Sequence, residues 1–153
     1  MTGQRKIVVG VDGSNQSEAA LRWALEEATA HSDQVRAVLV RARAELLPGT
    51  SYAIQPYGRR PVGEDEEYSD RLRTTVQKVR ETLDNPPPVI EAVLNGDPAA
   101  ELVKESAHAD LLVIGSHGAR LRDVLIGSVA VWCVRHAHCP VLVITNEAAQ
   151  QLG

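Results

Sequence analysis

The stretch Leu111-Leu112-Val113-Ile114-Gly115-Ser116-His117-Gly118 sets four apolar residues in a row against a glycine-bearing turn. A short, unbroken apolar run closed by turn residues reads as a strand buried on both faces, as in a parallel sheet covered by helices. Working outward, Ile7-Val8-Val9 and Val141-Leu142-Val143-Ile144 carry the same signature. Two less uniform β-branched runs complete a set of five expected strands, at 7–12, 35–41, 89–94, 111–115 and 141–145. Stretches of helical period alternate with them, which predicts βαβ units in an α/β domain with helices on both faces of the sheet.

The helical segments are marked by their apolar spacing and their ends. Over 17–30, Leu21, Trp23, Ala24, Leu25 and Ala28 form a broad apolar face, with Glu18, Arg22 and Glu26 four apart. A second helix carries Leu72, Val76, Val79 and Leu83 and must end before Pro86-Pro87-Pro88. Its expected opening is Glu64-Asp65-Glu66-Glu67, whose charge complements the helix dipole. A third begins at Asp97-Pro98, an N-cap followed by proline at the first helical position. A fourth runs from near Ser128 to about His136. The segment 43–65 has no periodicity and is punctuated by proline and glycine, so it reads as one long flexible loop within a single domain over 1–153.

Composition narrows the function. The 153 residues are 44% hydrophobic and 24% charged, the balance of one domain with a sizeable core. Sixteen Lys+Arg against twenty Asp+Glu give a net charge of -4, with no sustained basic stretch to neutralise a row of phosphates, so no nucleic-acid partner is expected. With no Phe, two Trp and three Tyr, there is no stacking platform for single strands and little to flank a flavin, which disfavours a flavodoxin-like electron carrier. Apolar runs fall short of the roughly 20 residues that span a bilayer, and Met1 to Lys6 lacks a signal-peptide pattern. Two cysteines make no disulfide framework. A cytoplasmic protein without a membrane partner is expected.

In an open α/β sheet, ligands bind beyond the carboxyl ends of the strands. The first strand leads into Gly10-Val11-Asp12-Gly13-Ser14, where Asp12 can accept from ribose hydroxyls or, equally well, Asp12 or Ser14 can cap the first helix. The fourth leads into Gly115-Ser116-His117-Gly118 and, after eight residues, Gly127-Ser128 at a helix start. Glycines admit anions close to backbone N–H groups, and a helix N-terminus adds unpaired donors and positive dipole. His117, Arg120 and Arg122 stand beside that cradle. The chain has neither a P-loop G-x-x-x-x-G-K-[ST] nor a G-x-G-x-x-G after the first strand.

Taken in order, Ile7-Val8-Val9-Gly10-Val11-Asp12-Gly13-Ser14, Asn95-Gly96-Asp97-Pro98, Ala109 to Gly118, Gly127-Ser128-Val129 and His138-Cys139-Pro140-Val141-Leu142-Val143-Ile144 resemble the universal stress protein family across nearly the whole chain. The resemblance implies an open, doubly wound, five-stranded parallel sheet of order 3-2-1-4-5, of the adenine nucleotide alpha hydrolase-like type. It also implies a homodimer through the last strand, Val141-Leu142-Val143-Ile144-Thr145. ATP-binding members look like G-x2-G-x9-G-[ST]; here Gly115, Gly118, Gly127 and Ser128 match, with eight residues in the long gap instead of nine. By similarity, Asp12 would contact the ribose and the backbone near Val40 the adenine, while Gly115, His117, Gly118, Gly127, Ser128 and Val129 would hold the phosphates of ATP or a related adenine nucleotide, with or without Mg²⁺. The expected function is a nucleotide-binding stress regulator with an unknown protein client. The alternative is a dimeric interaction module that no longer binds nucleotide, which the shortened gap favours.

Other clusters read more simply. Cys133, His136, His138 and Cys139 match no zinc-finger spacing, and buried thiols with dipole-favoured histidines account for them; no metal site is expected. His31 and His108 sit at helix ends for the same electrostatic reason. No nucleophile elbow or kinase signature is present, and no catalytic residue is assigned, although slow ATP hydrolysis with Asp12 or His117 as base stays open.

Overall fold

The computed structural model describes residues 3–42, 64–116 and 126–152. The chain runs β1 (Lys6–Gly10), α1 (Asn15–His31), β2 (Gln34–Arg41), α2 (Glu64–Arg80), β3 (Val89–Asn95), α3 (Pro98–Ser106), β4 (Leu111–Gly115), α4 (Ser128–His136), β5 (Val141–Ile144) and α5 (Asn146–Leu152). The strands form one parallel sheet in the order β3-β2-β1-β4-β5. Most of the 43–65 segment lies outside the described residues; its last two residues belong to α2.

Alternation along each strand divides the core in two. Ile7 and Val9 of β1, Val35 and Ala37 of β2 and Val113 of β4 meet Leu21, Leu25, Leu72 and Val76 of α1 and α2, and α5 joins this side through Ala148 and Ala149. Val8, Val38, Leu112 and Ile114 point the other way, onto Leu102 of α3 and Ala130 and Cys133 of α4. The central strands are thus buried on both faces, and their apolar runs follow from it. Since the chain leaves β1 toward β2 and β4 toward β5, the crevice between the carboxyl ends of β1 and β4 is the sheet's switch point.

Several expected boundaries shift for identifiable reasons. β1 stops at Gly10, which leaves Asp12 in the turn. α1 starts at Asn15, two residues earlier than expected, because the Ser14 side chain accepts from the Ser17 amide and caps the first turn. α2 ends at Arg80, and Leu83 reaches the core from the turn beyond it. α3 begins as expected, with the Asp97 carboxylate accepting from the Ala100 amide at 2.9 Å ahead of Pro98. The sequence reading gave no helix after β5; α5 is capped there by Thr145, whose Oγ1 accepts from the Ala148 amide at 3.1 Å.

Polar side chains latch the amino ends of the strands. Arg5 grips buried Asp33 through two parallel bonds, Nε to Oδ1 at 2.9 Å and Nη2 to Oδ2 at 2.6 Å, which hold its guanidinium still more firmly protonated. Asp110, just before β4, accepts from the Lys6 amide at 2.8 Å. Arg36 of β2 forms a similar fork on Glu105 of α3. At the carboxyl ends a side-chain bond also reaches across, from Gln16 Nε2 to Asn146 Oδ1, and it is there that the turns of interest emerge.

Candidate functional site

The β1–α1 turn is built to hold a carboxylate in place. The Val11 amide donates to the Val38 carbonyl at 2.8 Å, continuing the ladder one residue past β1. The next residue, Asp12, turns its Oδ1 to accept from the Ser14 amide at 2.9 Å, and its own amide donates to Ser17 Oγ at 3.3 Å. Gly13 completes this Asx turn at φ +86°, a conformation that favours glycine. The capping reading holds for Ser14, while Asp12 orders the turn and stays exposed.

Beside Asp12 opens a cleft of about 680 Å³, within the range of small-molecule sites. Val11, Leu39 and Leu72 give it an apolar lining, and α2 contributes Glu66, Asp70, Arg71, Thr74 and Thr75. The start of α2 is tied to the end of β2 by Arg41, whose guanidinium lies 5.0 Å from the Tyr68 ring centroid, and Arg71 of α2 approaches the same ring at 5.1 Å. Val40 does not line this cleft. Its side chain packs into the α3–α4 side of the core, so Leu39 supplies the apolar surface and Val40 could meet a base only through its backbone.

The described ends of the β4–α4 connection, Gly115-Ser116 and Gly127, lie at the strand end next to that of β1. Gly115 ends β4 against the first turn of α1, where an added Cβ would lie 2.7 Å from the Cβ of Gln16, so only glycine fits without displacement. Ser116 is buried and doubly tied: its amide donates to the Ile144 carbonyl at 2.8 Å, and its carbonyl accepts from the Gly127 amide at 2.6 Å. The Gly127 N–H is thereby engaged in pinning the start of α4 to Ser116. Gly127 is the N-cap and adds no side-chain bond, so the first-turn amides of Ser128, Val129 and Ala130 have no acceptor within the helix. Ser128 is exposed and Val129 half-buried at this tip. His117 and Gly118, with Arg120 and Arg122, lie outside the described residues.

The structure thus brings Asp12, Gly115, Gly127, Ser128 and Val129 to adjacent strand ends, since β1 pairs with β4 through Val9 and Val113. It adds Leu39, Gln16 and the α2 wall, which no local motif signals because they are assembled from remote parts of the chain. Cys133 is buried, which pushes its thiol up to about 11, with Asp97 a lesser cause. His136 packs obliquely against Trp132, with ring centroids 4.0 Å apart and planes inclined at 38°. Among the described residues no helix is long and apolar enough to cross a membrane.

An open parallel sheet of this order, with an acidic turn and a helix N-terminus at its switch point, places the chain among the doubly wound α/β folds, a class in which ligands commonly sit at strand ends. Residues 4–145 match the model of the universal stress protein family, and the chain belongs to that family. It is 31% identical over 151 residues to universal stress protein Rv2623 of Mycobacterium tuberculosis, covering 92% of this chain and 48% of that protein. The chain thus spans about half the length of that relative. Among solved structures, universal stress protein UspA from Lactobacillus plantarum superposes with a TM-score of 0.70 at 24% identity, over 94% of this chain and 99% of that one. The Archaeoglobus fulgidus universal stress protein in complex with dAMP superposes at 0.61 with 27% identity, over 94% and 99%.

Proposed function

We propose that this protein is a regulatory adenine-nucleotide binder of the stress response. The observation that carries the reading is the placement of the ordered Asp12 carboxylate and its cleft and of the N-terminus of α4 at the neighbouring strand ends of the switch point. Asp12 would accept from a sugar hydroxyl, Leu39 and the backbone at Val40 would flank the base, and the amides of Ser128 and Val129 would take phosphate oxygens beside Gly115. The dAMP complex of the Archaeoglobus relative supports this choice of ligand class. The binder would act in the cytoplasm as a switch and not as an enzyme, on a protein client and as a homodimer through β5, with ATP as a candidate ligand alongside the monophosphate.

A second reading, a dimeric interaction module without nucleotide, draws on the eight-residue gap and on the commitment of the Gly127 amide to Ser116. The deciding experiment releases any bound nucleotide from the purified protein by denaturation, identifies it by chromatography, and titrates AMP and ATP, with and without Mg²⁺, by calorimetry. Retained or titrating adenine nucleotide upholds the first reading. Absence of binding at millimolar ligand overturns the first reading in favour of the second, whose dimer is then checked by light scattering.

A further inference from the structure

The phosphate-side turn is connected to an element that no family motif marks. Gln16, in the first turn of α1 and pressed against Gly115, donates from Nε2 to Oδ1 of Asn146, the first residue of α5. The neighbouring Ile144 carbonyl holds the Ser116 amide, and Thr145, between the two, caps α5. Two routes therefore join α5 to the Gly115-Ser116 turn, one through side chains and one through the backbone. Ser116 carries both onward to α4, because its carbonyl fixes Gly127 and hence the direction of the first-turn amides.

We propose that α5 is part of the site's scaffold, with Asn146 a positioning residue that sets the aim of α4's N-terminus and through which ligand occupancy and α5 docking favour each other. The reciprocity follows from linkage: if docked α5 holds the amides in their binding geometry, a ligand on those amides must stabilise docked α5 by the same factor. The regulatory half of this inference rests on the nucleotide reading above; the mechanical half does not.

The test compares the wild-type chain with Asn146→Ala, which deletes the acceptor, and Asn146→Asp, which keeps an Oδ1 for Gln16 and suits the first turn of a helix. Amide hydrogen exchange without ligand reads the mechanical half. Asn146→Ala should speed exchange at Ser116 and Gly127 while leaving core amides such as Val9 and Val113 unchanged, and Asn146→Asp should restore protection. Calorimetry with AMP reads the other half: Asn146→Ala should weaken binding by about fivefold or more, with recovery in Asn146→Asp. Unchanged Ser116 and Gly127 protection in Asn146→Ala would overturn the proposal, whatever the ligand result. Failure of the wild type to bind AMP, with the exchange effect intact, would overturn the nucleotide reading and leave α5's positioning role standing.

Discussion

Gly115 and Gln16 meet so closely that no side chain can be placed between them: the first Cβ added to Gly115 would stand 2.7 Å from Gln16 Cβ and 3.4 Å from its carbonyl carbon. The contact locks the end of β4 to the first turn of α1, and so sets the two ligand-facing turns side by side. Gly115→Ala should cost about 1–3 kcal/mol as an overpacking change, because the obstacle is the stem of Gln16 and not its flexible tip. Urea unfolding monitored by circular dichroism gives the number, and an unaltered midpoint would mean that α1 yields freely.

Asp12 has two duties that substitution can separate. Asn keeps the Oδ1 that accepts from Ser14 and loses the charge, whereas Ala loses both. Asp12→Asn should melt with the wild type and bind AMP roughly tenfold more weakly, the order expected for losing a charged hydrogen-bond acceptor. Equal AMP affinity in wild type and Asp12→Asn, measured by calorimetry, would remove Asp12 from the sugar site.

Buried Cys133 titrates from an ordinary value of 9.0 up to about 11 in the fold. A raised folded value means that the native state keeps its proton longer than the unfolded chain, so this contribution to stability is complete below pH 9 and is lost as pH climbs toward 11. Cys133→Ser or Cys133→Ala should flatten that stretch of the stability profile. In the native protein at neutral pH, a thiol reagent should modify half-buried Cys139 first and reach Cys133 only on unfolding.

β5 forms one edge of the sheet, and its apolar residues Val141, Leu142 and Val143 remain partly exposed. Such an edge invites pairing with a second strand. If two copies pair there, Leu142→Lys should shift the protein to monomer in multi-angle light scattering without lowering its helix content. A persistent dimer would place the interface elsewhere.

How much could be read from the chain depended on the range of the interactions involved. The runs 111–114, 7–9 and 141–144 announced central strands because burial on two faces leaves no polar positions, and Asp97-Pro98 announced α3 because a cap is a local bond. α5 escaped because its sequence, Asn-Glu-Ala-Ala-Gln-Gln-Leu, shows only a thin apolar face that becomes meaningful once α1 lies against it. Leu39 and Val40 are interchangeable in composition; only the strand's alternation, fixed by its register with β1, decides which of them faces the cleft. The Gln16–Asn146 bond joins residues 130 positions apart and has no signature in either neighbourhood.

The two poles of the sheet are held by different means. At the amino ends, the ties are made by particular side chains, Arg5 on Asp33 and Asp110 on the Lys6 amide. At the carboxyl ends, the backbone of Ser116 bonds the Ile144 carbonyl and the Gly127 amide, and Gln16 reaches Asn146 beside it. Sequence drift is therefore filtered by position: the amino pole resists replacement of Arg5, Asp33 and Asp110, while the carboxyl pole resists it at Gly115, Gln16 and Asn146 and leaves exposed positions such as Asp12 and Ser128 open to exchange. A protein made this way can retune what it recognises without renegotiating how it folds.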